Sequence, residues 1–300
     1  MSIHHLSVIV PTWRDTLAVR LTAQRLLPQL QPGDELLIVD NGSLEQHDEV
    51  RAELPVHPSL TLLHCTTRGS YAARNHGAAA ATGTVLAFTD AGCVPNAGWL
   101  AAVRQHFEQP RADRVTGPIL MTYGGRRPTP FALVDEAMHL HQSRYAGEGW
   151  AATANLAIRR SAFEASGGFD ARLLSTGDHE FGIRCLVAGF DIAWQPEMSV
   201  EHEARATLAE LLTKRRRILE GLHQLALRPA YADALASVRQ PAALLVKPPR
   251  REPPCIGLWD RLAMKVARRV VRIHDRRYRR QLARTVTPDV PRPSALHLVD

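Results

Sequence analysis

The sequence predicts an α/β fold: a mostly parallel sheet covered by helices on both faces, followed by a basic helical C-terminal extension. Three observations predict it. Short apolar runs alternate with helix-compatible stretches through the first 120 residues. Three of the four runs end in polar residues: Pro11-Thr12, Asp40-Asn41 and Asp90. The last third of the chain is strongly basic, and nearly all of its excess positive charge falls in residues 247–284.

The elements follow in order. Leu6–Val10 reads as a buried strand. A helix is expected from Asp15 to Leu30, with Leu17, Leu21, Leu26, Leu27 and Leu30 near helical spacing. Glu35–Val39, Ser59–His64 and Thr84–Thr89 are further strands, and the Ala-rich Gly69–Ala81 is a helix. Residues 122–150, Gly-rich and then amphipathic, read as a loop bordering a cleft. Ala152–Ile158 is a strand and Arg160–Ser166 a helix. Asp178–Ala188 is a helix expected to turn Phe181, Cys185, Leu186 and Val187 inward. Beyond 206 the pattern is helical, broken by a linker at Pro241 and the Pro248/Pro249/Pro253/Pro254 cluster. In such sheets the ligand crevice lies beyond the carboxyl ends of the strands, where the three polar ends converge.

Composition bounds the class. With 300 residues, 45% hydrophobic and 22% charged, the chain is ordinary globular material, neither a disordered tail nor a disulfide-stapled miniprotein. Cys65, Cys93, Cys185 and Cys255 lie far apart with no CxxC pair, against a zinc knuckle. No signal-peptide core and no apolar run of membrane-spanning length is visible, so a soluble protein on the cytoplasmic side is expected. The net charge of +7 has two parts: residues 1–200 carry 16 basic and 20 acidic groups, residues 201–300 carry 21 and 10. Such a basic tail suits an anionic partner.

The segments VIVPTWRD, LLIVDNGS, GSYAARNHGAAAATGTVLAFTDAGCVP and TANLAIRRSAFEASGGFDARLLSTGDHEFGIR stand in that order across residues 6–205. Together they resemble the family-2 glycosyltransferases of the Rossmann-like GT-A fold. The resemblance implies a nucleotide-sugar-binding half at 1–100, an acceptor and catalytic half at 101–205, and an extension at 206–300. It also implies direct, inverting transfer of a sugar from a nucleotide diphosphate-sugar to a hydroxyl acceptor, with Mg²⁺ or Mn²⁺ at the diphosphate.

Residue by residue, the resemblance puts Pro11 and Thr12 against the base and ribose. Asp40 accepts hydrogen bonds from the base, and Arg74 lies near the diphosphate or on the base side. Asp90 opens the metal-binding Asp-x-Asp motif, which here reads Asp90-Ala91-Gly92, so Asp90 and Ala91 face the donor and the second carboxylate is missing. His202 is then the compensating metal ligand. Asp178 matches the catalytic base, with Gly177 where the family often has a carboxylate and Glu180 in reserve. Trp150, Thr153 and Asn155 are expected on the acceptor wall. The run Lys214–Arg217 is either a solvated face or a source of positive charge for the leaving diphosphate.

No Gln-x-x-Arg-Trp motif of a processive synthase is present. A catalytically impaired nucleotide-sugar-binding protein, suggested by Gly92 and Gly177, is the alternative. An Arg-rich nucleic-acid binder ranks third, for want of an RNA motif or a base-stacking platform. Residues 257–284 space Trp259, Leu262, Val266, Val270 and Ile273 as one apolar stripe on an Arg-rich helix. That stripe either meets an anionic membrane, fitting a polyprenyl-linked acceptor, or docks on the catalytic domain.

Overall fold

The computed structural model describes residues 4–42, 44–109, 112–125, 127–237 and 257–284. The proline-rich linker read at 241–254 lies outside the described residues. The elements run β1 (Leu6–Thr12), α1 (Thr16–Leu26), β2 (Glu35–Asp40), α2 (Leu44–Glu53), β3 (Leu60–His64), α3 (Ser70–Ala80), β4 (Val85–Thr89), β5 (Val94–Pro95) and α4 (Trp99–Phe107). Then come β6 (Arg114–Thr116), β7 (Ile119–Thr122), α5 (Pro130–Met138), α6 (Gln142–Gly147), β8 (Asn155–Arg159), α7 (Arg160–Ala165) and α8 (Gly177–Val187). The chain continues through β9 (Ile192–Trp194), β10 (Val200–Glu203), α9 (Leu208–Ala226), α10 (Pro229–Ser237) and α11 (Leu258–Ala283).

The main sheet has the order β3-β2-β1-β4-β8-β6-β9. It is parallel except for β8, which runs antiparallel to both neighbours. Its strands read as unbroken apolar runs because both faces are covered. Leu6, Val8 and Val10 join one core layer and Ile9 the other; Leu36 and Ile38 alternate with Leu37 and Val39 in the same way. A small sheet, β5-β10-β7, closes one end.

The parallel order places the carboxyl ends of β1, β2 and β4 along one edge. The reversed β8 begins at that same edge, with Asn155 paired to Thr89. Residues 152–154, which lead into β8, therefore arrive beside Asp90. The strand begins at Asn155, three residues later than the expected Ala152.

Several expectations are corrected. The stretch 122–150 holds α5 and α6 instead of being a loop. Helix α5 starts from Thr129, whose side chain caps it, followed by Pro130. Helix α1 ends at Leu26 and buries Val19, Thr22, Ala23 and Leu26, leaving Leu17 and Leu21 exposed. Val187, at the last turn of α8, is exposed. Helices α2 and α4 were not foreseen; α2 buries only His47 and Val50.

Helix α9 opens with a capping box, Thr207 with Glu210. It packs with α11 on α5, where Val134, Leu211, Ala267 and Val271 form a separate buried cluster.

Candidate active site

A cavity of about 240 Å³ opens beside the end of β4, between the head of α8 and the extension helix α9. Asp90, Asp178, Arg74, His202, Trp150 and Thr153 all line it, together with Lys214, Arg215 and Arg217. The run Lys214–Arg217 thus turns three of its four cations toward the cavity, while Arg216 bonds His274 on α11.

Asp178 sits in the first turn of α8, whose amino end favours a carboxylate. The Tyr71 hydroxyl donates to Asp178 Oδ1 at 3.3 Å and accepts from the Asp178 amide at 3.2 Å. Burial raises the Asp178 carboxyl above the ordinary carboxylate range, against the opposing pull of Arg74. A more basic carboxylate is the better proton acceptor. Burial, seconded by the charge of Asp178, keeps Tyr71 protonated far above neutral pH, so its hydroxyl remains a donor.

The two glycines that depart from the family pattern have steric reasons. A Cβ at Gly177 would stand 2.6–2.9 Å from three atoms of the Tyr71 ring, so the ring takes the space a carboxylate side chain needs. Gly92 has φ +86°, a left-handed backbone that an Asp adopts only under strain. Neither change touches Asp178 or Asp90.

Arg74, buried on α3, forms an ion pair with Asp90, whose side chain is 37% exposed. Its guanidinium also lies over the Tyr71 ring, 5.6 Å from the centroid. Tyr71 and Arg74 are three residues apart and so share one face of α3.

His202 places Nδ1 2.8 Å from the Glu203 carbonyl. A carbonyl only accepts, so Nδ1 carries the proton and Nε2 keeps its lone pair. Burial, with Lys214 and Arg205 nearby, lowers the His202 pKa and favours the neutral, metal-ligating ring. Among the described residues no three His, Cys, Asp or Glu side chains form a metal-binding group. Asp90 and His202 line the same cavity, and the charge of Asp90 acts on the His202 ring.

Behind this wall, Asp135 of α5 is fully buried and accepts from three partners. These are His139 Nδ1 at 2.7 Å, Lys214 Nζ at 3.2 Å, and Arg205 through its amide at 3.0 Å and Nη1 at 3.3 Å. Despite burial, these bonds hold the Asp135 carboxyl well below the usual range. Burial, with Arg205 nearby, brings the Lys214 ammonium down to about 7. Arg215 bonds Asp275 of α11 through Nε at 2.9 Å and reaches His139 Nε2 at 3.4 Å.

The remaining expected residues divide. Trp150 stacks on Tyr145 with centroids 3.9 Å apart, and His179 meets its ring edge-on at 4.8 Å, making an aromatic wall. Asn155 is corrected. It is fully buried, its Oδ1 accepts from Trp99 Nε1, and its amide donates to the Pro118 and Met198 carbonyls. Those bonds leave it nothing to offer an acceptor. Glu180, the reserve base, is bound by Arg184 at 2.6 and 2.8 Å and lies outside the cavity lining.

Pro11, Thr12, Asp40 and Ala91 are not in the cavity lining. Thr12 and Asp40 are paired across β1 and β2. Thr12 Oγ1 and Asp40 Oδ2 are buried without a hydrogen-bond partner among the described residues, although His47 Nδ1 stands 3.3 Å from Asp40 Oδ2. Tyr71, Asp135, His139 and Arg205 were missed. Only Tyr71 left a usable signal, its helical spacing to Arg74.

A mostly parallel sheet with buried and half-buried carboxylates, a histidine and clustered cations gathered at its carboxyl edge is the architecture of a GT-A fold. Residues 7–167 match the Glycosyl transferase family 2 model, and the chain belongs to that family. It is a glycosyltransferase, an enzyme that moves a sugar from a nucleotide-sugar. It is 30% identical to the glycosyltransferase AglE of Haloferax volcanii over 81% of this chain and 82% of AglE. It is 28% identical to the pre-mycofactocin glycosyltransferase of Mycobacterium tuberculosis, over 70% of this chain but 45% of that one. The fold resembles that of the mannosyltransferase PcManGT from Pyrobaculum calidifontis in complex with GDP-Man and Mn²⁺. The TM-score is 0.59 at 20% identity, covering 95% of this chain and 74% of that one. Residues 1–349 of S. aureus TarS in complex with UDP-GlcNAc give a TM-score of 0.52 at 16% identity, covering 94% and 91%.

Proposed function

We propose that this enzyme inverts the anomeric centre in one displacement, with Asp178 as base and a GDP- or UDP-sugar as donor. The observation that carries this reading is the Tyr71-held Asp178 carboxylate, raised in basicity, in one cavity with the Arg74–Asp90 pair. Asp178 takes the acceptor proton as that oxygen attacks the anomeric carbon and the bond to the diphosphate breaks. Arg74, Arg205, Lys214 and Arg217 offset the charge that develops on the departing diphosphate. Mg²⁺ or Mn²⁺ held by Asp90 and His202 supplies further charge neutralisation at the same phosphates. Thr12 and Asp40 receive the base and ribose, alongside Pro11 and Ala91. Trp150 and Thr153 form the acceptor wall.

The acceptor hydroxyl belongs to a glycan, polyprenyl-linked or small molecule, and the enzyme works as a peripheral protein on the cytoplasmic membrane face. No helix among the described residues is long and apolar enough to cross a membrane.

The test is a thermal-shift and hydrolysis screen of UDP-, GDP-, dTDP- and CMP-sugars, with and without Mn²⁺, on the wild type and Asp178→Asn. One donor class should stabilise both proteins, with turnover confined to the wild type. Equal turnover by the variant would remove Asp178 as base. Failure of every donor to bind would remove the transfer reading.

A further inference from the structure

We infer that α11 lies on an anionic lipid surface through Trp259, Leu262, Val266, Val270 and Ile273. The inference rests on the proposed peripheral location and names the surface that makes it. The sequence left two uses for this stripe, membrane contact or docking on the domain. Helix α11 does dock, but by another face. Ala267, Val271 and Asp275 are buried against α5 and α9, and Asp275 is held by the buried Arg215. At about 100° per residue, the stripe stands roughly a third of a turn away from that docked face. It stays bare, with Trp259 81% and Val266 64% exposed.

The rest of the helix says what covers it. Lys265, Arg268, Arg269, Arg272, Arg276 and Arg280 are all exposed. A row of aliphatic side chains headed by Trp and flanked by exposed cations matches a bilayer interface. The apolar groups enter the acyl boundary, Trp sits at headgroup level, and the cations meet anionic headgroups. A second copy of the chain would bring like-charged Arg faces together. A nucleic acid would leave the aliphatic row without a partner, since only Trp259 offers a stacking face there. The helix also lends Arg279 to the cavity wall, so the bilayer and the active site share one element.

The experiment is co-sedimentation of the full chain, free of nucleotide-sugar, with phosphatidylcholine vesicles with or without phosphatidylglycerol. The comparison variant is Leu262→Glu/Val266→Glu, at two exposed positions outside the cavity lining, with its thermal midpoint measured as a fold control. The wild type should bind the anionic vesicles roughly tenfold more than the neutral ones. The variant should lose at least about tenfold of that binding at an unchanged midpoint. Wild-type failure to sediment with anionic vesicles, or equal sedimentation of the variant, would overturn the inference. So would a wild-type dimer that the variant abolishes without any vesicle binding. Donor binding in the same lipid-free preparations separates the two readings: its loss counts against sugar transfer, not against α11.

Discussion

The Tyr71 hydroxyl grips Asp178 at two points, donating to Oδ1 at 3.3 Å and accepting from the backbone amide at 3.2 Å. One side chain on α3 thereby fixes the carboxylate at the head of α8, 107 residues later. Its hydrogen bond also lowers the Asp178 pKa, partly opposing burial.

Tyr71→Phe removes that bond and leaves the ring that packs against Gly177. A lost hydrogen bond to a charged group predicts a fall in kcat of roughly 10- to 100-fold with little change in donor KM. The acid limb of the pH–rate profile should move to higher pH, because the bond favours ionised Asp178. A shift to lower pH would contradict this.

Asp90 is shared between Arg74 and the proposed cation. Asp90→Asn should weaken Mn²⁺-dependent donor affinity by at least about tenfold, measured by titration calorimetry with and without EDTA. His202→Ala should act in the same direction. Retained Mn²⁺ dependence in the double variant would place the cation elsewhere.

Asp135 carries its charge buried among Lys214, Arg205 and His139. Asp135→Ala leaves two cations without their partner in a desolvated site and should cost about 3–5 kcal/mol, read from urea unfolding. Donor affinity should fall too, since Lys214 and Arg205 lose their anchor.

Burial lowers the pKa of both His139 and His179 to about 4. The unfolded chain takes up these protons near pH 6.5, the folded one only near 4. Stability present above about pH 6.5 should therefore be lost progressively as the pH falls toward about 4. His139→Gln should flatten that slope in denaturation curves collected across this range; an unchanged slope would exclude His139 as a contributor.

Much of the framework was legible along the chain because strand and helix periodicity is a local property. β1, β2, β3, β4, α3, α8 and α11 stand within a few residues of their sequence-based positions. Helix α2 escaped because it is polar nearly all round. Helix α4 escaped although Trp99, Leu100, Val103 and Phe107 stand at helical spacing and are buried. Asn155 misled because a polar residue beside an aromatic wall resembles a ligand contact, whereas its bonds join β8 to segments at residues 99, 118 and 198.

The sequence by itself determined the alternation that builds the sheet, the polar residues at its strand ends, the family, and the amphipathic stripe of α11. Only the tertiary structure decided that Arg74 pairs with Asp90, that Tyr71 holds Asp178, and that Asp135 gathers cations from distant elements. It alone decided which face of α11 is covered. Periodicity records which residues share a face, but a face acquires its partner, and a carboxylate its basicity, from groups that folding brings close and shields from water.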